Sequence, residues 1–264
     1  MWKRDEKKPV VGVFGFSGCA GDQLAILHME EHTVDIFTKA DIKFFHMAQS
    51  HQEVPKVDVA VIEGSINTQR QLKELKKIRE LADVVVALGT CACYGGIQYL
   101  GEDEKTFKER LKYVYGKSGD VPEFLDLVGK PKPAQPISDF IEVDFMIPGC
   151  PIAAENFIPI YTKLISGLKP QKYPMPVCVE CKYQGNDCFL LHDKFCLGPV
   201  TSAGCNAVCP SLGVSCVGCF GTYDEANFPS IIDKLKEIGL TEEEAVRKLK
   251  MFGGNRVEQA LKGD

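Results

Sequence analysis

The stretch VVGVFGFSGCAGDQL, residues 10–24, sets the frame for the rest of the chain. Its first seven residues are almost continuously apolar and β-branched, which suits a strand buried on both faces of a parallel sheet. The run ends in a glycine-rich turn, and a helical pattern begins at Asp22. A strand, a glycine turn and a helix usually cradle phosphate. Here, however, Gly12, Gly15, Gly18 and Gly21 do not spell G-x-G-x-x-G, and no Lys-Ser/Thr follows as in a P-loop. A nucleotide is therefore a poor occupant, and Cys19 with Asp22 becomes the feature that needs a chemical account.

Four more apolar runs follow: IKFFHMA (42–48), VDVAVIEG (57–64), ADVVVALG (82–89) and FIEVDFMIPG (140–149). Between them, DQLAILHMEEH (22–32) and TQRQLKELKKIRELA (68–82) have helical period, with Leu72, Leu75, Ile78, Leu81 and Ala82 on one face of the second. Its lysines, at 73–77, read as a solvated face, whereas Met29, Met47, Phe44 and Phe45 read as core. Strand–helix alternation predicts an α/β fold with a doubly wound sheet. Residues 101–138 read as a polar, proline-containing insertion, and 153–168 as one more helix before Pro170. The domain expectation is 1–170 for the sheet and 171–264 for a smaller, loop-rich, cysteine-bearing unit that ends in short helices. The last of these starts at a capping box, Thr241 to Glu244, and stops at Gly253-Gly254.

With 31 basic against 36 acidic residues and no basic stripe, the 264-residue chain gives no reason to expect nucleic acid. MWKRDEKKPVV lacks the apolar core of a signal peptide, and no stretch approaches the ~20 apolar residues of a membrane span. A cytoplasmic chain with no membrane partner is the expectation. In that compartment twelve cysteines point to metal ligation before disulfides.

Cys19, Cys91 in LGTCACYGG and Cys150 in IPGCP each follow a predicted strand end. Sites in open parallel sheets form outside the carboxyl ends of the strands, so these three can converge despite their separation in sequence. The bland alternative is three small buried hydrophobes. Eight further cysteines crowd into 178–219: Cys178, Cys181, Cys188, Cys196, Cys205, Cys209, Cys216 and Cys219. Eight thiolates make two sets of four, as two 4Fe–4S clusters require. Two zinc sites are the rival. A zinc ribbon sets its C-x2-C knuckles about 15–20 residues apart, whereas here 34 residues separate Cys181 from Cys216. His192 among these cysteines reads as a solvent-facing loop residue.

With GCAG, EGS, GTCACYGG, PGCP, C-x2-C, FCLGPVT, AGC-x3-CP and C-x-GC in that order, the chain resembles the small subunit of NiFe hydrogenases. The likeness is strongest to the delta subunits of cytosolic archaeal sulfhydrogenases that are linked to NADP. It runs from about residue 10 to 225.

The resemblance implies a flavodoxin-like domain with a proximal 4Fe–4S cluster on Cys19, Cys91 and Cys150. A second domain would hold a distal cluster on Cys178, Cys181, Cys188 and Cys196, and a medial cluster on Cys205, Cys209, Cys216 and Cys219. Many relatives have His at the first distal position and Pro at the second medial one; this chain has Cys178 and Cys209. It also departs from the family's first C-x-x-C, reading Cys19-Ala20-Gly21-Asp22. Asp22 or Cys93 would then complete the proximal set, unless Asp22 merely caps the following helix. Glu63, in EGS, is either an acid facing the site or a backbone-bonding carboxylate.

The implied function is electron transfer in reversible dihydrogen oxidation, with the nickel–iron site on a separate large subunit. Further iron–sulfur and flavin subunits that reduce NADP would complete a hetero-oligomer, a heterotetramer. A stand-alone electron carrier and a zinc-stapled binding module are the alternatives from other classes.

Overall fold

The computed structural model describes residues 8–50, 54–100, 104–119, 129, 131–171 and 174–263. The amino-terminal charged stretch and part of the 101–138 insertion lie outside these residues. Five parallel strands form the central sheet: β1 (Val10–Gly15), β2 (Asp41–Phe45), β3 (Val57–Glu63), β5 (Ala82–Leu88) and β7 (Phe145–Ile147), in the order β2-β1-β3-β5-β7. Counting only these strands, the order is 2-1-3-4-5, that of flavodoxin-like sheets.

The continuous apolar runs are explained by burial on both faces. Val59 and Val61 of β3 join one core with Val11, Val13, Val86 and Leu88, while Ala60 and Ile62 join the opposite core with Phe14, Val85 and Ala87. The first face is covered by α1 (Gly21–Leu27), α2 (Glu30–Lys39) and α6 (Ala154–Ile165). The second is covered by α3 (Gln69–Leu81) and the short α4 (Gly89–Tyr94), with Leu75 and Ile78 of α3 buried. A full capping box starts α3, with the Thr68 side chain accepting from Gln71 N–H and the Gln71 side chain accepting in return.

Several expectations need correction. The pattern over 22–32 is two helices, broken at His28-Met29, the second running on to Lys39. The run 140–149 pairs only over β7. The 101–138 insertion carries structure of its own: α5 (Glu104–Tyr115) and β6 (Pro131–Gln135), which pairs antiparallel with β4 (Ile66–Thr68). Met47 is 45% exposed and is not core, whereas Met29, Phe44 and Phe45 are buried.

The cysteine-rich segment holds the short helices α7 (Val177–Tyr183) and α8 (Val208–Ser211) among turns, followed by α9 (Phe228–Glu237) and α10 (Glu242–Lys262). The Thr241–Glu244 capping box is present. The helix breaks at Gly254, as the Gly-Gly pair suggests, but resumes to Lys262 instead of stopping there. Its resumed part packs back on the sheet half, where Tyr99 Oη donates to Glu258 at 2.8 Å and Asn255 donates to Asp139 at 2.8 Å. Among the described residues no helix is long and apolar enough to cross a membrane.

Candidate iron–sulfur centres

The three cysteines of the sheet half stand where the strand ends put them. Cys19 lies in the turn between β1 and α1, Cys91 in α4 directly after β5, and Cys150 just beyond β7. They are near enough to Asp22 and to one another that each negative charge opposes the next: burial first pushes the Cys91 thiol up to about 12, with Cys150, Asp22 and Cys19 adding to it. Cys150 is raised by burial, then by Asp22 and Cys19. Cys19 and Cys150 are exposed, so this group opens to the surface. Cys93 is not brought to it. That side chain is 1% exposed, sits in the α3-side core and has its Sγ 3.5 Å from the Ala87 carbonyl.

Asp22 is buried and is not a helix cap, since Ala20 occupies the N-cap position. Its Oδ1 accepts from Ile152 N–H at 2.8 Å, which fastens the loop that carries Cys150 to the loop that carries Cys19. Oδ2 rests against Gly89, where any side chain would overlap it, and the positive φ of 75° at Gly89 suits glycine alone. Burial above all, then the charge of Glu63, lift the Asp22 carboxyl to about 7 against the lowering effect of Ile152 N–H. Glu63 is itself 3% exposed and accepts from Asp22 N–H at 3.2 Å and from Gln23 Nε2 at 2.7 Å.

Two supports around this group carry no signal in the one-dimensional pattern. Gln98 donates to the Ser17 carbonyl at 3.0 Å and to Ser65 Oγ at 2.9 Å, while its Oε1 lies 3.7 Å from Cys91 Sγ. Thr90 is 1% exposed. Its Oγ1 accepts from Gly149 N–H at 3.2 Å and lies 2.5 Å from the Cys219 carbonyl, while its own N–H reaches the Gly149 carbonyl at 2.8 Å. One side chain thus touches the backbone beside Cys150 and at Cys219 while sitting next to Cys91.

The remaining eight cysteines divide as their order in the chain suggests. Cys178, Cys181, Cys188 and Cys196 line one cavity with Lys182 and Gly198. Cys205, Cys209, Cys216 and Cys219 line a second, of about 350 Å³, and Cys150 lines it too. The two sets meet at Gly198, where a Cβ would stand 3.2 Å from Cys178 Sγ, 3.5 Å from Cys196 Sγ and 4.0 Å from Cys216 Cβ. His192 is exposed and lines neither cavity.

The donor chemistry fits iron–sulfur clusters. Backbone N–H groups are aimed at the sulfurs: those of Gly198 and Cys216 at Cys196, those of Ala207 and Val208 at Cys205, and that of Gly218 at Cys216. Such bonds stabilise thiolate and sulfide charge. Left alone, these thiols resist ionising, because burial and then neighbouring cysteines push Cys178 and Cys219 up to about 12. A cationic metal centre reverses that balance and ionises a coordinating thiol outright. The sulfurs ring cavities, and among the described residues no three His, Cys, Asp or Glu side chains close on a single-ion point.

The family described as NADH ubiquinone oxidoreductase, 20 Kd subunit, matches residues 19–164. Sulfhydrogenase 2 subunit delta of Pyrococcus furiosus is 39% identical over 243 residues, spanning 92% of this chain and 98% of that protein. A subunit of the vhu F420-non-reducing hydrogenase of Methanocaldococcus jannaschii is 31% identical over 271 residues, spanning 92% of this chain and 93% of that protein. Among solved structures, the actinobacterial-type NiFe-hydrogenase from Ralstonia eutropha H16 shares the fold at a TM-score of 0.58 and 16% identity, covering 98% of this chain and 92% of that one.

Proposed function

The chain belongs to the NADH ubiquinone oxidoreductase 20 Kd subunit family and, within it, to the hydrogenase small subunits, and from that membership we propose that it relays electrons through three 4Fe–4S clusters. The catalytic nickel–iron site lies on another subunit, and the family carries iron–sulfur clusters. In this reading residues 1–170 form the flavodoxin-like domain that holds the proximal cluster, and 171–264 form the iron–sulfur domain. Cys19, Cys91, Cys150 and Asp22 hold the proximal cluster. Cys205, Cys209, Cys216 and Cys219 hold the medial one, and Cys178, Cys181, Cys188 and Cys196 the distal one. Each cluster supplies a one-electron redox centre. The chain pairs with a nickel–iron large subunit in a cytoplasmic heterotetramer whose iron–sulfur and flavin subunits reduce NADP.

The observation that carries this reading is the contiguity of the three sets. Cys150 lines the cavity of Cys205–Cys219, and Cys216 abuts Cys196 across Gly198, so the sets follow one another as a relay needs. Asp22 takes the fourth proximal place because it stands three residues after Cys19 and close to Cys91 and Cys150, whereas Cys93 sits in the core. Carboxylate is a harder iron ligand than thiolate but a competent one.

Analysis of the native complex for iron, acid-labile sulfide, zinc and nickel, with EPR of the reduced form, tests the whole reading. About twelve irons assignable to this chain, from three cubanes and over and above the iron of the partner subunits, is the expected result, together with copurifying nickel. Zinc without sulfide sinks it, and a stable chain with iron but no nickel partner points to a lone carrier. For the proximal set, Asp22→Cys shifts that cluster's EPR and potential while Cys93→Ala leaves both alone. The reverse pattern hands the fourth place to Cys93.

A further inference from the structure

Helix α7 carries Cys178 and Cys181 together with two charged residues of opposite sign, Glu180 and Lys182, and the two face different cysteine sets. Glu180 turns away from the set its own helix serves. Its Oε1 accepts from Gly204 N–H at 2.8 Å, and its Oε2 lies 3.9 Å from Cys205 Sγ, the first cysteine of the neighbouring set. Lys182 stays with its own set. It lines the cavity of Cys178, Cys181, Cys188 and Cys196, and its Nζ donates to the Asn186 carbonyl at 3.2 Å. The electrostatics divide the same way: Glu180 acts on Cys205, whereas Lys182 is the charged side chain that acts on Cys178.

We propose that Glu180 and Lys182 tilt the electron relay outward, Glu180 holding the medial cluster at a lower potential and Lys182 holding the distal cluster at a higher one. The inference rests on the three-cluster reading above. Reduction adds one electron to a cluster, so a nearby anion opposes it and a nearby cation favours it. Net charge and hydrogen bonding around the sulfurs are among the levers a protein has on such potentials. The two charges therefore bias an electron to pass from the Cys205–Cys219 set to the Cys178–Cys196 set, away from the proximal end. The two contributions differ in size. Glu180 is half-buried, held by Gly204 and close to its target; Lys182 is exposed, so water and salt screen it.

The test is a potentiometric EPR titration of the purified native complex and its variants. Glu180→Gln keeps an oxygen for Gly204 N–H and removes the charge; the medial midpoint rises while the proximal and distal midpoints stay put. Lys182→Gln lowers the distal midpoint by a smaller amount, and that shift fades at high ionic strength. Glu180→Asp, which keeps the charge, leaves the medial midpoint closer to wild type than Glu180→Gln does. An unmoved or falling medial midpoint in Glu180→Gln overturns the proposal, as does an equal shift in Glu180→Asp, which makes the effect one of packing. Failure of the underlying reading looks different: wild-type complex then lacks separate medial and distal signals, and its iron and sulfide content falls short.

Discussion

The proposed proximal site and the proposed carboxyl-terminal sites are built by opposite routes. Cys19, Cys91 and Cys150 come from loops at three strand ends, far apart in sequence, and are brought together by a sheet with a full core on each face. The other eight come from one short segment whose own core is thin. Its buried cluster consists of Val177, Cys196, Ala207 and Cys216, so half of it is made of the proposed ligands themselves. The sheet site is preformed by the polypeptide. On the proposed assignment, ligand-binding energy stands in for apolar burial in the cysteine-rich segment, as in small metal-stapled domains.

Loss of iron should separate the two regions most strongly. After chelation or oxidative cluster loss, amides in 177–221 should lose most of their hydrogen-exchange protection, read by mass spectrometry. Those of β1, β3 and β5 should keep theirs. Helices α9 and α10 should hold as well, since Ile231, Leu235, Ala245, Leu249 and Val257 pack against one another, with Leu197 and Val200 of the loop segment added to that core. Loss of sheet protection in step with the loops, or loops that stay protected, removes the distinction.

A smaller effect isolates Asp22. Its carboxyl is raised from 3.8 to about 7, chiefly by burial. Between those values the folded chain holds a proton that the unfolded chain has released. The Asp22 contribution to the stability of the cluster-free protein is therefore greatest below about pH 4, falls as pH rises towards about 7 and is flat above. Asp22→Asn keeps an acceptor for Ile152 N–H and abolishes that slope. Urea midpoints for the pair should coincide near pH 4 and separate by pH 8, with the variant the more stable. Parallel curves would mean that Asp22 contributes nothing to the pH dependence. In the loaded protein the order reverses if Asp22 binds iron, because the ligand must then be deprotonated.

The sequence discloses the parts of this molecule that obey a local period. Runs such as VDVAVIEG read as doubly buried strands because both faces of β3 are in fact covered. The cysteines read as ligands because three follow predicted strand ends and eight crowd into 178–219. PKPAQ gave no strand signal because proline and lysine fit an edge ribbon only through its pairing with Ile66–Thr68. Met47 lies just past the end of β2, where the apolar run continues but the sheet does not. Contacts such as Tyr99 to Glu258 and Asn255 to Asp139 join positions more than a hundred residues apart, and nothing periodic announces them. Nothing periodic announces Asp22 with Ile152 either, or Glu180 with Cys205 only 25 residues on: the residue types are visible, their partners are not.

Thr90 offers the finest cut between the two regions, because its hydroxyl belongs to both. The sheet half needs it as an acceptor for Gly149 N–H, next to Cys150. The cysteine-rich half needs its single proton for the Cys219 carbonyl, the shorter of its two carbonyl contacts; the Gly149 carbonyl already has the Thr90 N–H. Thr90→Val keeps the shape and removes both functions, leaving a buried donor and an acceptor unpaired at a cost of about 1–3 kcal/mol each. That cost should fall unequally. β1, β3 and β5 have ladder bonds and apolar burial to hold them, so their protection barely changes. The segment around Cys219 loses a fastening that its thin core cannot replace, so exchange there rises even with iron bound. Thr90→Ser returns the hydroxyl and should restore the wild-type pattern. If Thr90→Val instead loosens β5 and β7 as much as 216–221, the sheet site depends on its neighbour and is not preformed.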